Sequence, residues 1–243
     1  MNHKLLVLLS LLSLPFVLGA GSQTKPPEMT DPFPMSVGTS WTYRGIVRWS
    51  PSIDKVSETK VEWKMEVRRI IRHGEYTGAV IRGFPGDLDW SDGHASATDS
   101  LLVRFGQGKF YLISKERFAS SLQMLENPNE SLQGLLSEGD IFLQLPLAKG
   151  NKYCDAENMT RSDGHYCWNV ESSESIDLAD LSGGAIKGRG TRFRIRYVTN
   201  PDDLTYEFVP GVGITLYEYH HHGTVADTEL QLSGFRRGLP ANE

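Results

Sequence analysis

One stretch, residues 60–72 (KVEWKMEVRRIIR), constrains the possible fold more than any other part of the chain. Val61, Trp63, Met65 and Val67 occupy every second position, and lysine, glutamate or arginine occupies the positions between and around them. This period of two is typical of a half-buried antiparallel strand, with one dry face and one wet face. The stretch therefore predicts a strand that crosses a sheet and lines its inner surface.

Further segments have the alternation, the β-branched and aromatic content or the flanking turn residues of strands. They are residues 41–49, 76–82, 101–105, 109–114, 140–147, 192–198, 204–209, 213–222 and 228–235. Two segments, 116–125 and 130–136, instead space their apolar residues as helices do. The predicted fold class is mainly β, an antiparallel meander that curls into an open or half-open barrel with a short helical insertion.

The concave face of this sheet predicts a binding surface. Its candidate lining residues are Trp63, Met65, Phe193 and Tyr197, which are large apolar residues on alternating strand faces. The two predicted helices would cover that face. An apolar small molecule is the ligand that such a lining favours.

The N-terminus has the pattern of a secretory signal. Lys4 precedes an apolar run over residues 5–18, and small residues follow, so cleavage is expected near Ala20. Gly21 stands where a lipoprotein would carry its lipid-accepting cysteine. The expected product is an exported chain, periplasmic or extracellular, with no transmembrane segment and no lipid anchor.

The predicted organisation is a signal peptide over residues 1–20, an extended, proline-rich lead-in over 21–34 and one β-rich domain over 35–238. The formal charge of −5 becomes −6 when Lys4 is removed with the signal. A mildly acidic chain lacks the basic surface that nucleic acid or anionic lipid would require. Nucleic acid is therefore not an expected partner, whereas an apolar small molecule or an envelope protein is.

Two cysteines, Cys154 and Cys167, are present, and an exported chain meets an oxidising compartment. We expect them to form a disulfide across a polar loop of about fourteen residues. A redox or metal pair is the alternative, but the spacing does not favour it. Asn129 and Asn158 begin glycosylation sequons that matter only in a eukaryotic host.

The loop over residues 87–94 offers a candidate catalytic or metal site, with Asp87, Asp89 and His94 beside Trp90. The two carboxylates resemble the start of a calcium loop, but no glutamate closes it. They would also suit hydrolytic chemistry if they converge in space. The alternative is a polar surface loop anchored by its tryptophan.

The run of three histidines at 220–222 is a second candidate metal site. On a strand, His220 and His222 share one face, about 7 Å apart. A metal would need a third ligand, for which His94, Asp227 and Glu218 are the guesses. The alternative is a solvated strand end.

A stripe of arginines follows one strand: Arg189, Arg192, Arg194 and Arg196. These side chains could bind an anion. The favoured interpretation is a solvated face paired with acidic residues of the neighbouring strand, such as Glu207 or Glu218.

Short sequence motifs spread over the chain resemble those of a group of uncharacterised exported bacterial β-rich proteins. They are Phe33-Pro34 followed by Gly38, Trp41 and Tyr43, then Pro146-Leu147 followed by Gly150, then Pro210-Gly211-Val212-Gly213. The resemblance implies export and a β-rich fold, and it implies no catalytic residues. At the level of fold, the predicted architecture is similar to that of periplasmic lipoprotein carriers, half-open barrels with helices over the mouth.

No nucleophile elbow, zinc-protease helix or phosphate-binding loop is present, and no motif implies a cofactor. The sequence therefore favours an exported non-enzymatic binding or envelope-associated module. One alternative is a secreted hydrolase or metal-binding protein that uses the 87–94 loop and the histidine run. Another is a structural or assembly protein that recognises its partner through a strand edge.

Overall fold

The computed structural model describes residues 31–106, 108–127, 129–132, 134–182 and 186–238. Its strands are β1 (Ser40–Ser52), β2 (Lys55–His73), β3 (Tyr76–Arg82), β4 (Asp99–Phe105), β5 (Lys109–Ile113), β6 (Gly139–Gln144), β7 (Lys152–Tyr153), β8 (Trp168–Asp177), β9 (Arg189–Val198), β10 (Asp202–Val209), β11 (Gly213–His221) and β12 (Ala226–Arg236). The helices are α1 (Phe118–Glu126), α2 (Ala156–Met159) and α3 (Leu178–Ser182), with 3₁₀ turns at Pro85–Leu88 and Leu135–Glu138.

All twelve strands belong to one sheet, in the order β6-β5-β4-β3-β2-β1-β12-β11-β10-β9-β8-β7. Each pair of neighbours is antiparallel, and the first and last strands of the meander, β1 and β12, pair at its centre. The sheet curls into a nearly closed barrel. The predicted fold class, a mainly β meander that forms a barrel with a short helical insertion, is confirmed.

Strand β2 has the alternation that its sequence predicts. Trp63, Met65 and Val67 are buried, while the residues between them face outward or are partly exposed. The pairing with β3 then shifts at Arg68, where a bulge places two residues against one of the partner. The alternation restarts beyond it, so the inward face of β2 is continued by Ile70.

The barrel interior is filled by large side chains from every part of the meander. Phe33, which is 0% exposed, packs among Trp41, Phe142 and Phe208. The Trp41 indole N–H donates to the backbone oxygen of Val212 at 2.6 Å. Much of the interior predicted to be a concave binding face is therefore a packed core.

The helical insertion lies on the outside of the barrel, which corrects its predicted position over the concave face. Strands β3, β4 and β5 carry apolar side chains on both faces. On the outer face, Val80, Leu101 and Val103 form a second core with Leu125 of α1 and Leu135. The helix predicted over 130–136 is also wrong, because the described part of this segment holds only the start of the 3₁₀ turn Leu135–Glu138.

The predicted disulfide between Cys154 and Cys167 is present, with Cα atoms 4.6 Å apart. The predicted pairing of the arginine stripe is also confirmed. Arg194 contacts Glu218 at 2.7 Å and Glu207 at 3.5 Å, and Arg196 pairs with Asp203. Acidic side chains of the neighbouring strands thus form ion pairs with the arginine stripe.

The predicted signal peptide over 1–20 and most of the lead-in over 21–34 lie outside the described residues. Within the part of the chain that the structure describes, no helix is long and apolar enough to cross a membrane.

Candidate functional site

The two edges of the sheet, β6 on one side and β7 with β8 on the other, meet along a seam without a backbone ladder between them. Side chains bridge it instead. The Trp168 indole N–H donates to the backbone oxygen of Ile141 at 2.6 Å, and the Tyr153 hydroxyl donates to that of Phe142 at 3.4 Å. These bonds occupy carbonyl groups that an edge strand would otherwise leave free. The seam is therefore closed by aromatic side chains, which leaves room between the strands.

A cavity of about 160 Å³, here called the seam pocket, lies at this junction. Its wall includes Phe142, Trp168, Tyr197, Leu204 and Tyr206. The ring centroid of Trp168 lies 4.9 Å from that of Tyr197 and 4.8 Å from that of Tyr206. The ring centroids of Phe142 and Tyr206 are 5.3 Å apart. The rings are thus arranged as one continuous aromatic wall.

A second cavity of about 300 Å³ adjoins the seam pocket and shares Leu112, Asp140, Leu204 and Tyr206 with it. Its other side is formed by the loop between β3 and β4. Phe84 and Leu88 of that loop insert into the barrel core and are buried. The loop, rather than the helices, covers this end of the interior.

Two carboxylates stand beside the aromatic wall of the seam pocket, Asp140 on β6 and Asp155 after β7. Both residues are exposed at the rim. Neighbouring protein nevertheless displaces enough water from Asp140 to raise its pKa, and the like charge of Asp155 raises it further. Burial is also the main cause that raises the pKa of Tyr197, and both carboxylates add to it. The seam pocket is thus aromatic on one side and negative on the other.

Asp89 is a carboxyl group of the second cavity whose pKa is strongly raised. Part of the residue reaches the surface, but its Oδ1 oxygen is fully buried and lacks a hydrogen-bond partner among the described residues. The Tyr217 hydroxyl donates to Oδ2. Burial raises the Asp89 pKa to about 7, since desolvation outweighs the stabilising hydroxyls of Tyr217 and Thr228, and the charges of Asp202 and Asp87 add to it. The Thr228 hydroxyl lies near enough to lower this pKa, although its geometry falls outside that of a full hydrogen bond.

The loop over 87–94 and the histidine run do meet, although not through the residues that the sequence singles out. Trp90 packs edge-on against His221, with ring centroids 4.2 Å apart. The Nδ1 atom of His221 lies 2.8 Å from Asp202 Oδ1, which also accepts the Tyr219 hydroxyl. His94 is exposed, and its backbone N–H is bonded to Asp92.

The predicted metal ligands His220 and His222 have other neighbours. The Nδ1 atom of His220 lies 3.2 Å from Asp227 Oδ1, and the backbone N–H of His222 donates to Pro201. In the described ranges, no group of three or more His, Cys, Asp or Glu side chains is placed to hold a metal ion. The Asp87 carboxylate accepts a hydrogen bond from the backbone N–H of Thr98, and its Oδ1 atom lies 3.6 Å from the Lys115 ammonium group.

Of the four predicted lining residues, Tyr197 lies in the wall of the seam pocket. Trp63, Met65 and Phe193 lie in the barrel core instead, and the Trp63 indole donates to Gly83 at 2.8 Å. Neither Trp168 nor Tyr206 is among the lining residues that the sequence predicts. The signal available for Tyr206 was its inward place on an alternating strand, and for Trp168 its position directly after a disulfide cysteine.

Comparisons with known proteins give a weak structural likeness. No protein-family profile matches the chain, and no curated protein matches it. The fold is similar to that of a protein from Bacteroides fragilis NCTC 9343 described as exported with a YmcC-like fold, at 10% identity and a TM-score of 0.40. It is also similar to a protein from Parabacteroides distasonis ATCC 8503 described as a lipoprotein, at 15% identity and a TM-score of 0.38. Each likeness covers 85% of this chain and 99% of the other, and neither carries a function to it.

Proposed function

We propose that this chain is an exported, non-enzymatic binding module that holds a small, largely apolar molecule in the seam pocket. The observation that carries the proposal is the aromatic wall of Trp168, Tyr197 and Tyr206 around a cavity of about 160 Å³. Ligand sites are concave, mostly apolar and supplied with a few polar groups, and this cavity has each of those properties.

The position of the cavity supports the proposal. Most of the barrel interior is packed, whereas the seam joins two sheet edges through the side chains of Trp168 and Tyr153. Opening a seam held by side-chain hydrogen bonds costs less free energy than opening a continuous backbone ladder, because fewer hydrogen bonds have to break. A small molecule therefore has a route to the pocket between β6 and β8 that leaves the rest of the sheet intact.

Indole, a small neutral aromatic, tests the proposal as a probe. Saturation-transfer NMR should detect its binding to the wild-type protein. Leu204→Trp places a large side chain into the pocket wall and should abolish the signal. Val56→Trp is the matched control, because Val56 is 58% exposed on the hairpin between β1 and β2, and it should bind indole as the wild type does.

Equal indole signals from the Leu204→Trp and Val56→Trp variants would refute the seam pocket as the binding site. Circular dichroism of both variants establishes that each one is folded.

A second candidate function, hydrolysis, is favoured by Asp89 alone. A carboxyl group whose pKa is near 7, beside the Tyr217 hydroxyl and in the wall of the second cavity, is suited to give and take a proton. A panel of nitrophenyl esters and glycosides tests it. Turnover that Asp89→Asn abolishes would support hydrolysis, and turnover that survives this substitution would exclude Asp89 as its acid or base.

A further inference from the structure

We propose that the seam pocket selects organic cations, with the ammonium group against the aromatic wall and with Asp140 and Asp155 as its counter-ions. The inference rests on the proposed function and names the ligand class. Loss of indole binding would remove the proposed function, whereas the comparison of choline with its neutral isostere tests the ligand class alone.

The aromatic wall of the seam pocket favours a cationic ligand. Trp168 stands between Tyr197 and Tyr206, at centroid distances of 4.9 Å and 4.8 Å. The face of an aromatic ring is negative, so that a cation within about 6 Å of a ring centroid is attracted to it. Quaternary ammonium groups are recognised in this way by cages of several rings, and tryptophan is the strongest of the three aromatic residues in this role.

The two rim carboxylates have no counter-ion among the described residues of the protein. Neither Asp140 nor Asp155 forms an ion pair with any residue that the structure describes, and the charge that acts on Asp140 is the like charge of Asp155. The acidic residues Glu207 and Asp203 of the neighbouring strand, by contrast, are paired with the arginine stripe. A cationic ligand would relieve the repulsion at the rim, whereas an anionic ligand would increase it.

The inner end of the site is the second cavity, which shares Tyr206 with the seam pocket. There, Asp89 Oδ1 is buried and has no hydrogen-bond partner among the described residues. The Asp89 carboxyl group therefore brings no positive charge to this end of the site. The basic residue of this cavity, Lys115, is 3.6 Å from Asp87 and is thereby neutralised. Among the described residues that line the two cavities, no cationic side chain is therefore left unpaired.

A pair of probes of one shape tests the inference. Choline carries a trimethylammonium group, and 3,3-dimethylbutan-1-ol is its neutral isostere with the same hydroxyl. Isothermal titration at low salt should give choline an affinity at least about tenfold higher than that of the alcohol, because only choline gains the cation–π and carboxylate attractions. Raising the salt concentration should weaken choline binding and leave the alcohol unaffected.

Asp140→Asn and Asp155→Asn should each reduce choline affinity several-fold, whereas the affinity for the neutral alcohol should fall far less, so that the preference for choline narrows. Asp54→Asn, on the exposed tip of the β1–β2 hairpin, is the control for the loss of one negative charge and should bind choline as the wild type does. Thermal melting of each variant verifies that it is folded.

Three results would overturn the inference: equal affinity for choline and the alcohol, no choline binding, or full choline affinity in both carboxylate variants. In each case indole binding that Leu204→Trp abolishes would leave the proposed function standing. Loss of indole binding in the wild type would instead remove the proposed function itself.

Discussion

Replacing Asp89 by asparagine should make the protein more stable, and the gain should grow as the pH rises. Asparagine keeps an oxygen that accepts the Tyr217 hydroxyl but carries no charge into the buried site. The carboxyl group, by contrast, has to ionise at high pH in a place that water hardly reaches. Its pKa is accordingly raised from the ordinary 3.8 to about 7, chiefly by burial.

The sign follows from which state holds the proton more tightly. The folded protein retains the Asp89 proton up to about pH 7, whereas the unfolded chain releases it near pH 3.8. The favourable contribution of this group is therefore complete below the unfolded pKa and is lost as the pH rises through the folded pKa. The rise of the Asp89 pKa from 3.8 to about 7, at 1.36 kcal/mol for each pKa unit, sets an upper limit of about 4 kcal/mol.

The assay is urea unfolding of the wild type and Asp89→Asn at intervals from pH 4 to pH 8.5, with the disulfide intact. The difference in free energy of unfolding should increase by about 3 to 4 kcal/mol over that range in favour of the variant. Asp54→Asn serves as the control for removing an exposed carboxylate. A difference between Asp89→Asn and wild type that stays constant with pH would refute the desolvation of this group.

Three further changes test the closure and the core of the barrel by the free energy of urea unfolding. Trp168→Phe removes the indole N–H that bridges the seam and should cost about 2 kcal/mol; no loss would mean that the seam holds without it. Cys154→Ser combined with Cys167→Ser should cost about 3 kcal/mol, because the unfolded chain regains the freedom of a 13-residue separation; an unchanged midpoint would contradict this. Gly45→Ala should cost about 3 kcal/mol or more, since its Cβ would lie 1.8 Å from the backbone oxygen of Glu229; a stable variant would disprove the close approach of β1 and β12.

The sheet was readable from the sequence because burial of one face leaves a period of two. In β2 the buried positions carry bulky apolar residues and the exposed positions carry charged ones. The local pattern therefore predicts both that the segment is a strand and which of its faces is buried. The arginine stripe on β9 was readable for the same reason, because adjacent strands place opposite charges side by side.

The position of the helices could not be read from their own residues. Helix α1 is amphipathic wherever it packs, so its pattern does not say which face of the sheet it covers. The signal lay in the strands beneath it, where Ala79-Val80-Ile81 and Leu101-Leu102-Val103 are continuously apolar. Such runs are typical of strands buried on both faces, and they indicated an outer layer.

The seam pocket could not be predicted from the sequence, for a different reason. Its wall brings Phe142, Trp168 and Tyr206 together from three strands, and side chains from opposite edges of the sheet meet in it only after the meander has curled. That meeting depends on the curvature of the whole sheet, which accumulates from twist and bulges over many strands. Tyr197 was predicted as a lining residue because it lies on an alternating strand, but alternation does not distinguish a cavity wall from a filled core.

Native mass spectrometry of the protein purified from its own host tests the seam pocket most directly. The account predicts a retained small molecule on the wild type and on Val56→Trp, and a bare mass for Leu204→Trp, whose new side chain fills the wall of the pocket. A molecule retained equally by the Leu204→Trp variant would contradict it, because the ligand would then be held somewhere else on the barrel.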